Sequence, residues 1–83
     1  MNAQNAYELA ATKRKRMKLW SCVETPSKFV FAFVPRNYVP DTAPMFGLIA
    51  IDKKTGEESY FNPIDLPPNE RLHCKKLDIS IFE

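Results

Sequence analysis

Hydrophobic and polar positions along this chain change their period once, near residue 18. Before it, Ala3, Ala6, Tyr7 and Ala10 recur at helical spacing and predict a helix over residues 2–15. Asn2 or Asn5 can cap it, and Asn5 followed by Glu8 resembles a capping box. Small residues on that face let the helix lie close on a sheet, with Tyr7 as its anchor. Past residue 18 the period becomes two. "KLWSCVET" sets Leu19, Ser21 and Val23 against Trp20, Cys22 and Glu24, a strand over 18–25. "TPSK" is a turn, and "FVFAFVP" is a strand over 28–35 that Pro35 ends. Residues 36–45, "RNYVPDTAPM", read as a proline-punctuated loop. "FGLIAIDKKTGEESYF" reads as a hairpin of strands 46–52 and 57–62. Asp52 opens its turn and Gly56 takes the left-handed position.

After Pro63 the pattern weakens. A short helix fits from Pro67 or Pro68, and "LDISIF" alternates well enough to add a strand or trail along the surface. The expectation is one α+β domain over 1–83. Its N-terminal helix (2–15) packs on a four-stranded antiparallel β-meander (18–62), followed by an irregular or short-helical C-terminal segment (63–83). Consecutive strands should be sheet neighbours. The two central strands are apolar on both faces: Phe29, Phe31 and Phe33 oppose Val30, Ala32 and Val34. One helix cannot cover both faces. The tail from Ile64 to Phe82 is therefore expected to cover the second, through Leu66, Leu72, Leu77 and Ile79. Any apolar patch left over would meet a protein partner or form a homodimer.

The segments "AYELA", "KLWSCVE", "KFVFAFVP" and "LIAIDKKTGEESYF", in that order over about residues 3–61, resemble PepSY-like domains. Those are small helix-plus-meander modules whose last hairpin carries a D-x-x-T-G-E turn. The resemblance implies a noncatalytic bacterial module that binds or restrains a protein partner, with peptidases the partners suggested. Similar small meanders occur among bacterial immunity and mobile-element proteins. The shared hairpin residues are structural, so no functional residue carries over.

Charge adds one feature. Lys13, Arg14, Lys15, Arg16 and Lys18 outnumber the net charge of +2, so the remainder of the chain is net acidic. The cluster suits a nucleic-acid or acidic-partner contact, with Trp20 or Tyr38 as a stacking face. Consecutive helical residues point in different directions, however, so the favoured reading is a solvated helix end suited to the helix dipole. In the loop, Arg36, Tyr38, Val39 and Met45 combine the residue types enriched at protein interfaces and are candidate partner contacts.

Candidate chemistry is sparse. Cys22 and Cys74 follow no disulfide or zinc spacing, and with His73 they supply three ligands where structural zinc takes four. Asp52 and Glu57 flank a turn, and Asp65 and Glu70 bracket a proline-rich stretch, positions that face solvent rather than a dry cleft. Two glycines cannot build a phosphate-cradling loop. The expectation is no catalytic residue, no metal and no cofactor. Residues 1–16 lack the pattern of a signal peptide, and no apolar run is long enough for a membrane helix, so the chain reads as cytoplasmic. The function this supports is a protein-binding module acting as adaptor, inhibitor or immunity-type protein. The alternative is a nucleic-acid-binding protein that uses residues 13–18.

Overall fold

A computed structural model describes residues 2–37, 48–62 and 67–82. Helix α1 (Ala3–Thr12) is followed by strands β1 (Met17–Glu24), β2 (Lys28–Pro35), β3 (Leu48–Asp52) and β4 (Glu58–Phe61). Then come a one-turn helix α2 (Pro68–Arg71), strand β5 (Lys75–Leu77) and a 3-10 turn at Ile79–Ile81. The chain is thus α+β, and β1 to β4 pair antiparallel in sequence order. The sheet has five strands rather than four, in the order β4-β3-β2-β1-β5. The added edge strand is "KKL", not the alternating "LDISIF". Leu77 pairs with Cys22 and Lys75 with Glu24, whereas Asp78 caps the turn beyond by accepting from the Ser80 backbone N–H at 3.0 Å. Among the described residues no helix is long and apolar enough to cross a membrane.

Local chemistry explains the boundaries. Asn2 is the N-cap, its side chain accepting from the Asn5 N–H at 2.8 Å, so Asn5 is the capped residue and not the cap. The helix stops at Thr12, short of the basic run, with Lys13 as C-cap. Two successive turns follow, closed by Arg14 N–H to Ala11 O and by Met17 N–H to Arg14 O. In the β3–β4 turn, Asp52 Oδ1 accepts from the N–H groups of Lys54 and Thr55 at 2.8 and 3.0 Å. Gly56 stands at φ 74°, the left-handed geometry expected of it.

The pairing of β1 departs from simple alternation. Leu19 opposes Phe33 and Cys22 opposes Phe31, with a register shift between Leu19 and Ser21. One extra residue, Trp20, is absorbed as a bulge. It reverses the phase, so Leu19 and Cys22 share the helix face while Ser21 and Val23 turn to the other. Unbroken alternation would have put Leu19 with Ser21 and Val23.

The core lies between α1 and the sheet. Ala6, Ala10, Leu19, Cys22, Phe29, Phe31, Phe33, Ile49, Ile51 and Phe82 form one buried cluster. Ala6 and Ala10 have no exposed surface and let the helix axis approach closely. Tyr7 sits on this layer, with ring centroids 5.0 Å from Phe82, 6.3 Å from Phe31 and 6.4 Å from Phe33. These separations lie within the range of attractive aromatic pairs.

The tail does not do what its apolar residues suggest. Leu77 and Ile79 pack on the helix-side cluster, and Phe82 is buried in it. Leu72 covers nothing, being 84% exposed, and Leu66 lies outside the described residues. The cause is β5: once Leu77 pairs with Cys22, its side chain must share the helix face. The tail does border the second face, but through another residue, Cys74. Replacing Phe82 with Ala should destabilise the domain by about 3 kcal/mol, or roughly 15 °C in Tm for a chain this small. Leu72→Ser should stay within about 0.5 kcal/mol. Thermal melts of the two variants beside the parent chain check both.

Candidate functional site

The basic junction is the first candidate, and the structure divides it. Arg14 turns inward, its side chain only 17% exposed. Its Nη1 donates to the Ala10 carbonyl at 2.9 Å and to Glu58 Oε1 at 2.8 Å, and its Nη2 donates to Glu58 Oε2 at 3.1 Å. The guanidinium also lies 5.6 Å from the Phe33 ring centroid. It thus caps the helix, clamps it to β4 and roofs the aromatic layer. That geometry suits a planar fork of donors and not a lysine. Lys13 reaches Glu58 at 4.0 Å from an exposed position. Lys15 and Arg16 are exposed and Lys18 is half-buried in β1. The five residues therefore present no single stripe, and one of them belongs to the fold.

Hydrogen bonds from Arg14 hold the Glu58 carboxyl below its ordinary value of 4.5, helped by the charges of Arg14 and Lys13 and opposed by burial. A second clamp lies at the β1–β2 end of the sheet. Lys53 Nζ sits 2.7 Å from Glu24 Oε2 and 4.9 Å from the Phe29 ring centroid. The remaining acids named from the sequence are dispersed. Asp52 is lowered by the turn N–H groups of Thr55 and Lys54 that it accepts. Glu57 is exposed, Glu70 Oε1 accepts from Ser27 Oγ at 2.7 Å, and Asp65 lies outside the described residues.

Cys22 and Cys74 do not meet. Cys22 is fully buried in the helix-side core, where loss of water, reinforced by the Glu24 charge, pushes its thiol up to about 12. Cys74 is exposed, donates to the Glu70 carbonyl at 3.3 Å, and borders the opposite face of the sheet. His73 is also exposed. Among the described residues no three His, Cys, Asp or Glu side chains are placed to hold a metal ion.

The second sheet face carries the most coherent surface. Val30, Ala32, Val34 and Ala50 are buried there. Beside them Ser21, Val23, Thr25, Val30, Leu48, Phe61 and Cys74 line a groove of about 280 Å³. Two-sided apolarity of the central strands was the signal for this surface. Phe61 and Cys74 as its walls were not legible, because they arrive from β4 and the tail. Of the loop candidates, Arg36 is exposed and donates from Nη2 to the Lys15 carbonyl at 2.7 Å, tying the end of β2 to the basic junction. Tyr38, Val39 and Met45 lie outside the described residues.

Comparisons of the chain with protein-family models, curated proteins and solved structures return no match.

Replacing Lys13, Lys15 and Arg16 together with Gln should cost only tenths of a kcal/mol per residue. Arg14→Gln should cost about 2 kcal/mol, because it strips a carboxylate and a helix-end carbonyl of their partner. Urea midpoints of the two proteins test the division. The Glu58 carboxyl is depressed in the fold, so its stabilisation is complete above pH 4.5 and is lost as the pH falls through the lowered value. Glu58→Gln should flatten the acid limb of stability against pH. Asp52 and Asp78, depressed by their turn hydrogen bonds, should keep part of it.

Proposed function

We propose that this protein is a noncatalytic protein-binding module whose contact surface is the apolar groove on the second sheet face. The observation that carries the reading is that groove of about 280 Å³, walled by Val23, Val30, Leu48 and Phe61 with Ser21, Thr25 and Cys74 at its polar positions. Apolar lining with a few polar groups suits an inserted side chain or short segment of a partner. The charged groups with the most specific geometry, Arg14 with Glu58 and Lys53 with Glu24, serve the fold. An adaptor, inhibitor or immunity-type role fits, and it agrees with the resemblance to PepSY-like domains. Nucleic-acid binding keeps less support, because the inward turn of Arg14 leaves a smaller basic surface.

Val23 and Leu48 are only partly buried, so Val23→Lys and Leu48→Lys place charge at the groove without forcing it into the core. The tagged protein should capture a defined protein from host lysate, and both variants should lose it at least about tenfold, while Lys15→Gln/Arg16→Gln retains it. Capture unchanged by the groove variants would overturn the reading. Capture abolished by nuclease and by the Lys15/Arg16 change would transfer the function to the basic junction.

A further inference from the structure

The two edges of the sheet are protected unequally. β5 is three residues long and carries Lys75 and Lys76, both exposed, the short and lysine-bearing edge that resists pairing with another strand. β4, "ESYF", has neither lysine nor proline, and among the described residues no strand pairs with its outer side. Tyr60 is 88% exposed, the most exposed large apolar side chain among the described residues. Ser59 is exposed beside it.

The ladder identifies which backbone groups face outward. Asp52 N–H donates to Glu57 O at 3.0 Å, so Asp52 and Glu57 form a hydrogen-bonded pair. Bonded and non-bonded pairs alternate in an antiparallel ladder. Ile51–Glu58 and Ile49–Tyr60 are therefore the non-bonded pairs. The N–H and C=O groups of Glu58 and Tyr60 consequently point away from β3.

We infer that β4 is a homodimer edge, on which a second copy of this chain adds its own β4 antiparallel about a two-fold axis through Ser59. A two-fold axis perpendicular to the sheet keeps helix face on helix face, so only residues of matching parity can oppose each other. With Ser59 on the axis, Glu58 opposes Tyr60 of the second copy in a bonded pair, and the same pair recurs by symmetry. Both use the outward-facing groups just identified. On the helix face, Tyr60 of the second copy arrives beside Glu58, where Arg14 is held and Lys13 approaches to 4.0 Å. Its hydroxyl can donate to the carboxylate and its ring can meet a cation. On the other face the small Ser59 side chains meet at the axis, where opposed Cα atoms stand about 4.5 Å apart. The two sheets become one, with both apolar grooves on a shared face. The inference stands independently of the groove's proposed role, since β4 pairing uses backbone groups and helix-face side chains.

A four-residue edge buries little surface, so the dimer should be reversible, with a dissociation constant on the order of 100 μM. Light scattering on the full chain from about 10 μM to about 1 mM should show the mass rising towards twice the chain mass. Tyr60→Lys, at a position 88% exposed, should leave the circular dichroism unchanged and hold the mass at one chain throughout. A Ser59→Cys change in a Cys74→Ser background should form a covalent dimer on oxidation, because Ser59 faces itself. Constant single-chain mass of the parent would overturn the inference, as would a dimer unaffected by Tyr60→Lys. Failure of Ser59→Cys to cross-link under conditions where the mass has doubled would overturn it as well.

Discussion

Tyr7 and Phe82, near opposite ends of the chain, meet over Phe31 with ring centroids 5.0 Å apart, and the rest of the helix-side core is arranged around that meeting. A ten-residue helix with alanines at its buried positions approaches the sheet closely but brings little volume with it. Phe82 supplies the missing volume. It reaches the layer because β5 pairs with β1 and delivers the chain to the helix side of the sheet. For a domain of 83 residues, near the lower limit for a self-sufficient core, one aromatic side chain is a large share of the stabilisation.

Two clamps flank that layer, each combining a cation, an aromatic ring and a carboxylate. Arg14 lies over Phe33 and holds Glu58; Lys53 lies over Phe29 and holds Glu24. In both, the charged group itself stands over the ring face while its hydrogen bonds go to the carboxylate. The clamps also link elements that the ladder alone does not join, α1 to β4 in one case and the β3–β4 turn to β1 in the other. The basic run thus has a structural reason at one position. Arg14 ends the helix and fastens it, and its neighbours keep the turn solvated.

On the second face the physics differs. Val30, Ala32, Val34 and Ala50 are buried there but stand outside the aromatic cluster on the helix side. Small and β-branched side chains on a pleated surface leave a shallow channel beside Val23 and Leu48. The groove on this face and the β4 edge beside it are contiguous through Phe61, so strand addition at β4 would extend the grooved surface and leave the aromatic core untouched.

The helix, the first four strands, their antiparallel order and the Asp52–Gly56 turn were legible from residue pattern alone. Each depends on interactions between residues close in the chain: period, capping, proline and the left-handed glycine. Three features required the tertiary structure. The bulge at Trp20 depends on whether Cys22 or Ser21 packs better under the helix, a competition between two registers of the same strand. The side of the sheet taken by Leu77, Ile79 and Phe82 depends on β5 pairing with β1, a contact spanning more than fifty residues. In sequence Arg14 is one cation of a basic run with Arg16 its chemical equal, and it is the one whose position in the turn after Ala10 aims it at Phe33 and Glu58. Local pattern determines which elements form. Which face they cover, and which of several like charges is buried, is decided by long-range contacts that no local period encodes.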